Sequence, residues 1–456
     1  MKRSSDIQKR HWILLLLWIM PPLLSAIALA FVLVFVPDGS GIMMSRTQAA
    51  WNLLIVLLVS LPVAIFSIYY WRNRNVVSRT DLSIRIYPDG FGDVDYRLVE
   101  RLFRDSHEVR LYPLAGGFSE TLVFRVDYRD QQGEKLKVLK LGPEGKIKRE
   151  EENFLDFVQD SIDNIRMSKC EYEGRRGAAL YTYANMSRKK SVTFEEFYSG
   201  EKHSIDDVLW VIKEVFLNTL QPWLDGAQTN RESTLYQTYN LDQDWHRIRQ
   251  GVRDLGFDPD ADYFDYPGRR FPNPLKEARE LFKNRADRRI YTKYAIVHGD
   301  LNSRNILIDG NRNVFVIDFA KTKRDHSLRD FCKLETEILF CLTPISWPDD
   351  IEQIVALAEA LLFDEHGEPF EYLMDLLQVD SIKNMGPHLE RAWRSIKTLR
   401  EIAYRAIGTP KTELGAEQYY LGLLHHTLDT LRYEQCSPDS KQYALIFASL
   451  LCRALR

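Results

Sequence analysis

Two long uncharged runs open the chain. From Trp12 to Pro37, and again from Thr47 to Trp71, there is no charged residue. A bilayer core needs about 20 apolar residues for a helical crossing, so both runs predict transmembrane helices, over about 12–36 and 48–71 of an N-terminal membrane region 1–71. Pro21, Pro22 and Pro62 fall within them, and membrane helices tolerate proline better than soluble ones. Trp12, Trp51, Tyr69, Tyr70 and Trp71 sit near the span ends, where an aromatic belt forms. A cleaved signal peptide fits less well, because the first apolar stretch is too long and a second follows at once. A buried soluble hairpin fits poorly too, because both faces of both segments are apolar. Lys2, Arg3, Lys9 and Arg10 precede the first span and Arg72, Arg74 and Arg79 follow the second, with only Arg46 between. The positive-inside rule then places both flanks in the cytoplasm: a multi-pass protein of the inner or plasma membrane with both termini inside.

After residue 71 the pattern shortens and alternates. Residues 72–106 are mixed and charged, with a strand signal at LSIRIYP and a helix signal at YRLVERLFRD, and read as a linker or small adaptor segment. Residues 107–185 are strand-rich with one helix. Residues 192–295 read mostly as helix, 296–320 as two short apolar strands around polar turns, and 326–456 as helix, with amphipathic repeats in IEQIVALAEALLF and LGLLHHTLDTLRYE.

Composition narrows the function classes. The 456 residues are 45% hydrophobic and 27% charged, which suits packed domains rather than disorder. Lys plus Arg is 61 and Asp plus Glu is 64, a net charge of -3 that gives no footprint for nucleic acid. The five cysteines are scattered, with neither metal-ligand nor disulfide-framework spacing, which fits a reducing compartment.

The strongest chemical signal is IVHGDLNSRNILID at 296–309. Asn305 follows Asp300 by five residues and opens an apolar strand, and Asp318 ends a second one in VIDFA, 316–320. Three polar groups at strand ends can converge on one point. Phosphoryl transfer needs a carboxylate near the attacking hydroxyl and oxygen ligands for magnesium; Asp300 suits the first role, Asn305 and Asp318 the second. The bland reading is three turn residues that cap strands. Upstream, LAGGFSETLVFRVDY (114–128) reads as strand, glycine turn, strand. Gly116 and Gly117 permit close backbone approach to phosphate, with Ser119 nearby as a donor, although a plain hairpin turn has the same look. In KLKVLKLGP, Lys140 alternates with Val138 inside an apolar strand, and a buried lysine needs a partner.

These motifs resemble the protein-kinase-like superfamily, in its aminoglycoside and choline phosphotransferase branch. HGDLNSRN stands as the catalytic loop and VIDFA where kinases carry the metal-binding Asp-Phe-Gly. More narrowly, LAGGFSE, VLKLGP, HGDLNSRNILID, VIDFA and LRDFCKLETEI are similar to the kinase-like family called ternary complex associated domain 9, found in bacterial multi-component signalling or conflict systems. The resemblance implies an α+β, two-lobed kinase-like fold: a small strand-rich lobe at 107–185 and a helical large lobe at 186–456, behind the membrane hairpin. It implies that Lys140 contacts the phosphates of ATP and pairs with a glutamate on the next helix. Glu150, Glu151 and Glu152 are all candidates; Glu150 is preferred, since it shares a helix face with Phe154 at i, i+4. It implies adenine held by backbone at Tyr183 and Ala184, and structural support of the catalytic loop by His298 and Asp330.

Departures bear on activity. Asn302 stands where Ser/Thr protein kinases carry a lysine, no Ala-Pro-Glu follows VIDFA, Ala320 replaces the glycine of Asp-Phe-Gly, and the glycine loop is short. The leading expectation is therefore a membrane-anchored, ATP- and Mg2+-dependent phosphotransferase facing the cytoplasm, with Asp300, Lys140 and Glu150 in its catalytic machinery and an unknown acceptor, small molecule or protein. The alternatives are a catalytically weak or inactive kinase-like scaffold that recruits protein partners at the membrane, and an enzyme that transfers another group, such as an adenylyl. Acceptor contacts are expected in 192–295, where DPDADYFDYPG reads either as a site for a cationic acceptor or as a solvated loop.

Overall fold

In a computed structural model of the chain, the residues described are 83–86, 92–115, 121–183, 191–346, 349–372, 375, 385–406, 415–434 and 436–456. All belong to one compact unit, Ser83–Arg456. Both expected membrane spans lie outside the described residues, as do Gly116, Gly117, Ser119 and Ala184. Among the described residues, no helix is long and apolar enough to cross a membrane.

The small lobe is a six-stranded sheet. In chain order its elements are β1 (Ser83–Ile86), α1 (Asp93–Leu102), β2 (Glu108–Ala115), β3 (Leu122–Asp130), β4 (Gly133–Pro143), α2 (Glu144–Asn153), β5 (Ile165–Glu173) and β6 (Arg176–Tyr183). The strands lie in the order β1-β2-β3-β4-β6-β5. β1 joins β2 in parallel, and the other neighbours are antiparallel. In the central strands successive side chains alternate between faces, and both faces are covered. Val138, Ala179 and Tyr181 join Ile147 and Phe154 of the α2 side in the main core. On the other face α1 packs on β5 and β6 and buries Leu98, Val99 and Leu102. The segment read as linker or adaptor thus supplies the edge strand and an outer helix of this sheet. Asp95 of α1 fixes it there by accepting from Arg176 Nε of β6 at 2.8 Å.

The large lobe holds two small three-stranded sheets among helices. In chain order it contains β7 (Val192–Thr193), α3 (Phe194–Ser199), α4 (Ile205–Lys213), β8 (Gln228–Ser233), α5 (Trp245–Asp254), β9 (Tyr263–Tyr266), β10 (Arg269–Pro272), α6 (Pro274–Asn284), β11 (Ile290–Val297), β12 (Ile306–Ile308), β13 (Val314–Val316), β14 (Lys323–His326), α7 (Arg329–Glu337), α8 (Ile351–Leu362), α9 (Pro387–Ala406), α10 (Ala416–Thr430) and α11 (Pro438–Ala454). The sheets run β13-β12-β7 and β14-β11-β8. Every side chain of β12 and β13 is buried. Such fully apolar strands anchor the turns that precede and follow them.

Helix α7 is the hub of this lobe: every residue from Arg329 to Thr336 is buried. Glu335 and Arg400 form a fully buried ion pair, with Arg400 Nε 2.9 Å from Glu335 Oε2. Tyr419 donates to the same carboxylate at 2.6 Å and Arg400 Nη1 to the Leu361 carbonyl at 2.7 Å. Four helices thus share one charge pair. Breaking such a pair from one side leaves a buried charge without its partner. Arg400→Met should therefore destabilise the large lobe by about 3–5 kcal/mol in denaturant titration.

A second buried network is neutral. His326 Nδ1 accepts from the Tyr239 hydroxyl at 2.7 Å, and its Nε2 faces Gln418 Oε1 at 3.4 Å. Burial pushes the His326 imidazole down to about 4, and burial likewise lowers His425, which donates from Nδ1 to the Tyr239 carbonyl, to about 4. The unfolded chain takes up these protons near the ordinary 6.5, so it binds more protons than the native state between about 6.5 and 4. Stability should fall as pH drops through that window, by roughly 3 kcal/mol for His326 at its lower end. Thermal unfolding from pH 7 to pH 5 should show this slope, and His326→Asn should flatten it.

Candidate active site

The site lies where β4 and α2 of the small lobe meet the turns after β11 and β13. Lys140 extends from β4 and is 4% exposed. It makes an ion pair with Glu150 Oε2 and another with Asp318 Oδ1, the latter at 2.7 Å. Glu150 is itself 1% exposed and accepts a hydrogen bond from the Tyr181 hydroxyl at 2.7 Å. The neighbouring acids go elsewhere: Glu151 accepts from Tyr172, and Glu152 faces solvent. Helical geometry separates the three, since successive residues point about 100° apart. Burial alone would depress the Lys140 ammonium, but Glu150 and Asp318 outweigh it and hold it above its ordinary value. Burial raises Glu150 in spite of Lys140.

Past Asn153 the helix widens into a π turn, Phe154–Val158. There Asn153 Nδ2 donates to the carbonyls of Phe319 and Ala320, at 3.1 and 3.0 Å. The Phe154 ring meets Tyr181 and Phe319 edge-on, with centroids 5.8 and 5.9 Å apart. The helix bearing Glu150 is thereby tied to the turn bearing Asp318. Asp318 is one of two non-glycine residues with positive φ among the described residues, at 71°. Ala320 is not in that region: it lies in a right-handed 3-10 turn, Phe319–Lys321. The glycine-to-alanine departure therefore asks for no backbone freedom that alanine lacks.

The β12–β13 hairpin sets the two loops side by side. Ile306 pairs with Val316, and Ile317 N donates to the Asn305 carbonyl at 3.0 Å. Asn305 Nδ2 donates to the Asp300 carbonyl at 2.8 Å, which leaves Oδ1 as the atom to hold a cation. Asn302 caps the turn between them, its Oδ1 accepting from Arg304 N at 3.0 Å and Asn305 N at 3.2 Å. An asparagine at this position thus shapes the loop. Arg304 turns outward to a bidentate pair with Glu195 of α3.

Asp330 of α7 holds the front of the loop. Its two carboxylate oxygens accept from His298 N at 2.6 Å and Gly299 N at 2.9 Å, and burial pushes its carboxyl up. His298 Nε2 bonds the Ile317 carbonyl at 2.9 Å, and its ring lies 5.6 Å from that of Phe319. His298 therefore joins the loop after β11 to the strand end that presents Asp318. Gly299 has φ of 78°, and a Cβ there would overlap the Lys321 carbonyl. Gly299→Ala should drive the two loops apart, seen as a lowered melting temperature in thermal unfolding.

Asp300 lines a cleft of about 630 Å³ together with Asn305, Asp318, Thr121 and Val123. Its Oδ2 accepts from Lys321 Nζ at 2.8 Å. Burial would raise its carboxyl, but Lys321 and then Lys333 hold it below the ordinary carboxylate range. Asp318 is likewise lowered, against burial, by Lys140. Both are therefore ionised at neutral pH. The cleft continues past Asp300 into a second hollow of about 510 Å³, lined by Gln237, Thr238, residues 240–244 and the end of α10.

Among the described residues, no group of three or more His, Cys, Asp or Glu is arranged to hold a metal. One carboxylate, Asp318, and one amide oxygen, Asn305, are both hard donors on one cleft. That set suits magnesium, which takes one or two protein oxygens and completes its shell with phosphate and water.

Tyr183 is buried; its hydroxyl reaches the Val316 carbonyl at 3.4 Å and its ring packs on Phe315. DPDADYFDYPG does not line either part of the cleft. Its acids pair locally, Asp260 with Arg249 and Asp262 with Lys276, and Tyr263 is 52% exposed, so it is a solvated hairpin. From 192–295 the cleft takes Glu195, Gln237, Thr238 and residues 240–244 instead. Asn153, Lys321 and Lys333 carry no sequence signal of their own. Each is a single polar residue whose partner lies on a distant element.

A strand lysine paired to a helix glutamate, facing the HGDLNSRN and VIDFA loops across a two-lobe cleft, is the arrangement of a protein-kinase-like fold. Its HGDLNSRN and VIDFA loops follow the pattern of the aminoglycoside and choline phosphotransferase branch. The family model for ternary complex associated domain 9 matches residues 106–247 and 245–432, and the chain belongs to that family. No curated protein matches it. Solved structures that resemble it include aminoglycoside phosphotransferase APH(4)-Ia, at 14% identity and TM-score 0.38, covering 79% of this chain and 97% of that one. A thermostable mutant of that protein, in ternary complex with ADP and hygromycin B, aligns at 14% identity and TM-score 0.36 over 78% of this chain and 97% of its own. LicA in complex with AMP aligns at 12% identity and TM-score 0.36, over 80% of this chain and 99% of its own.

Proposed function

We propose that the protein is an ATP-dependent phosphotransferase anchored at the cytoplasmic face of the inner or plasma membrane. The observation that carries this reading is the buried Lys140, held between Glu150 and Asp318 on the same cleft as Asp300 and Asn305. An ammonium so placed is a fixed positive charge for nucleotide phosphates, preorganised before they arrive. Magnesium, which Asn305 and Asp318 would hold, supplies charge neutralisation at the phosphates. Asp300, kept ionised, accepts the proton of the acceptor hydroxyl. Lys321 must release the Asp300 carboxylate, or share it, when the acceptor enters. Transfer then depends on positioning and electrostatics, without a covalent enzyme intermediate. The anchor rests on the two uncharged runs at 12–36 and 48–71 and their basic flanks. Within a bacterial multi-component system, the acceptor is a small molecule or a partner protein.

A second reading, a nucleotide-binding scaffold that recruits partners, is favoured by the Lys321–Asp300 pair, which occupies the base. The two separate in one experiment on the full-length chain in lipid, with magnesium and γ-labelled ATP. For the enzyme, Asp300→Asn should cut phosphate release or self-labelling by roughly 10²–10⁴-fold and leave nucleotide binding in place. Asp318→Ala should weaken the magnesium-dependent binding itself. Binding without turnover in the wild type, with membrane and cell extract supplied as acceptor, would establish the scaffold. Unchanged turnover in Asp300→Asn would refute the role given to that carboxylate.

A further inference from the structure

The cysteines divide into two groups. Cys332 and Cys452 are sealed in the large-lobe core, and Cys170 lies on β5 beside Met167. Cys341 and Cys436 differ from these. They are 95 residues apart in sequence, yet their sulfurs are 3.5 Å apart. Cys341 lies on the π turn Ile338–Leu342 that continues α7, and it is exposed. Cys436 lies just before α11 and is buried. Both line the cleft that holds Asp300, Asn305 and Asp318. Two thiols packed merely as small apolar groups would be sealed from solvent, as Cys332 and Cys452 are. This pair opens onto the cleft instead. The two sulfurs lie within hydrogen-bond distance of each other, and either can be the donor. A disulfide needs sulfurs about 2.05 Å apart. Closing that gap falls to the Cys436 side, since Cys341 follows directly on the buried α7.

We propose that Cys341 and Cys436 are a modification site: they close into a reversible disulfide by exchange with a low-molecular-weight disulfide such as oxidised glutathione. One thiolate of the pair attacks a sulfur of the small disulfide and expels the first small thiol, leaving a mixed disulfide. The second thiol of the pair loses its proton, attacks the protein-side sulfur and expels the second small thiol. Two protein thiols are oxidised, one small disulfide is reduced to two thiols, and these take up the two protons. The bond ties the turn after α7 to the start of α11, where Ser437 and Ser440 also line the cleft. It pins the large-lobe wall opposite Thr121 and Val123. In a reducing compartment such a bond is transient and reports redox state. This site stands independently of phosphoryl transfer.

The test uses the full-length chain, reduced or treated with oxidised glutathione, then alkylated, digested and mapped by mass spectrometry. The expected product is a cross-linked pair of peptides containing Cys341 and Cys436, lighter by two hydrogens and restored by dithiothreitol. In Cys341→Ser and Cys436→Ser the cross-link is absent and the remaining thiol stops at the mixed disulfide. Hydrogen exchange over 431–441 should slow in the oxidised wild type and stay unchanged in oxidised Cys341→Ser. Because the wild-type map needs no variant, a folding defect in either serine variant leaves the test intact. Free alkylation of both thiols after oxidation, or accumulation of the mixed disulfide alone on wild-type Cys341, would overturn the site. An unchanged exchange rate in the oxidised wild type would overturn the pinning.

Discussion

The structure turns on one ammonium group. Lys140 of β4 sits between Glu150 of α2 and Asp318 of the large lobe, in a place where an unpaired charge would be very costly. Around it the molecule is built to keep that cluster satisfied. Tyr181 supplies a hydrogen bond to Glu150, and Asn153 fastens α2 to the backbone beside Asp318. One cation facing two carboxylates leaves one excess negative charge. That excess is a physical reason for the cluster to accept a divalent cation together with phosphate, and it couples the two lobes through charge rather than through apolar packing alone.

The second constraint is the pairing of the two loops. The β12–β13 hairpin places Asn305 beside Ile317, and α7 sends Asp330 to the backbone of His298 and Gly299. A carboxylate that accepts two adjacent backbone N–H groups fixes a turn more firmly than packing does. Gly299 then lets the Lys321 backbone approach, and Lys321 reaches Asp300 from there. The same helix, α7, also carries Glu335 and its buried pair with Arg400, and runs on into the turn that presents Cys341. The core of the large lobe and the wall of the cleft are therefore parts of one element.

Much of this was legible in the sequence, in particular places. Lys140 stood out because a charge inside an apolar alternation requires a partner, and Glu150 was preferred among three successive acids because it stands four residues before Phe154 on one helix face. Asp300, Asn305 and Asp318 stood out because their spacing binds them to the ends of short apolar strands. Residues 72–106 were less legible. The strand and helix were visible there, but an edge strand and an outer helix carry no local mark of the sheet they will join. The acidic run at 258–265 left two readings open, a site for a cationic ligand or a solvated loop, and its pairing with Arg249 and Lys276 decides for the loop.

The sequence by itself determined which segments are apolar enough to be buried, where the loops between them carry chemistry, and which residue types stand there, since these follow from local pattern and spacing. Tertiary structure alone decided who meets whom. It brought Asn153 to Phe319, Lys321 to Asp300, Arg400 to Glu335 and Cys341 to Cys436, because each pair is joined across elements distant in the chain. No periodicity encodes the partner of a single polar side chain. It emerges only when packing has removed water and left each buried donor, acceptor and charge to find its complement.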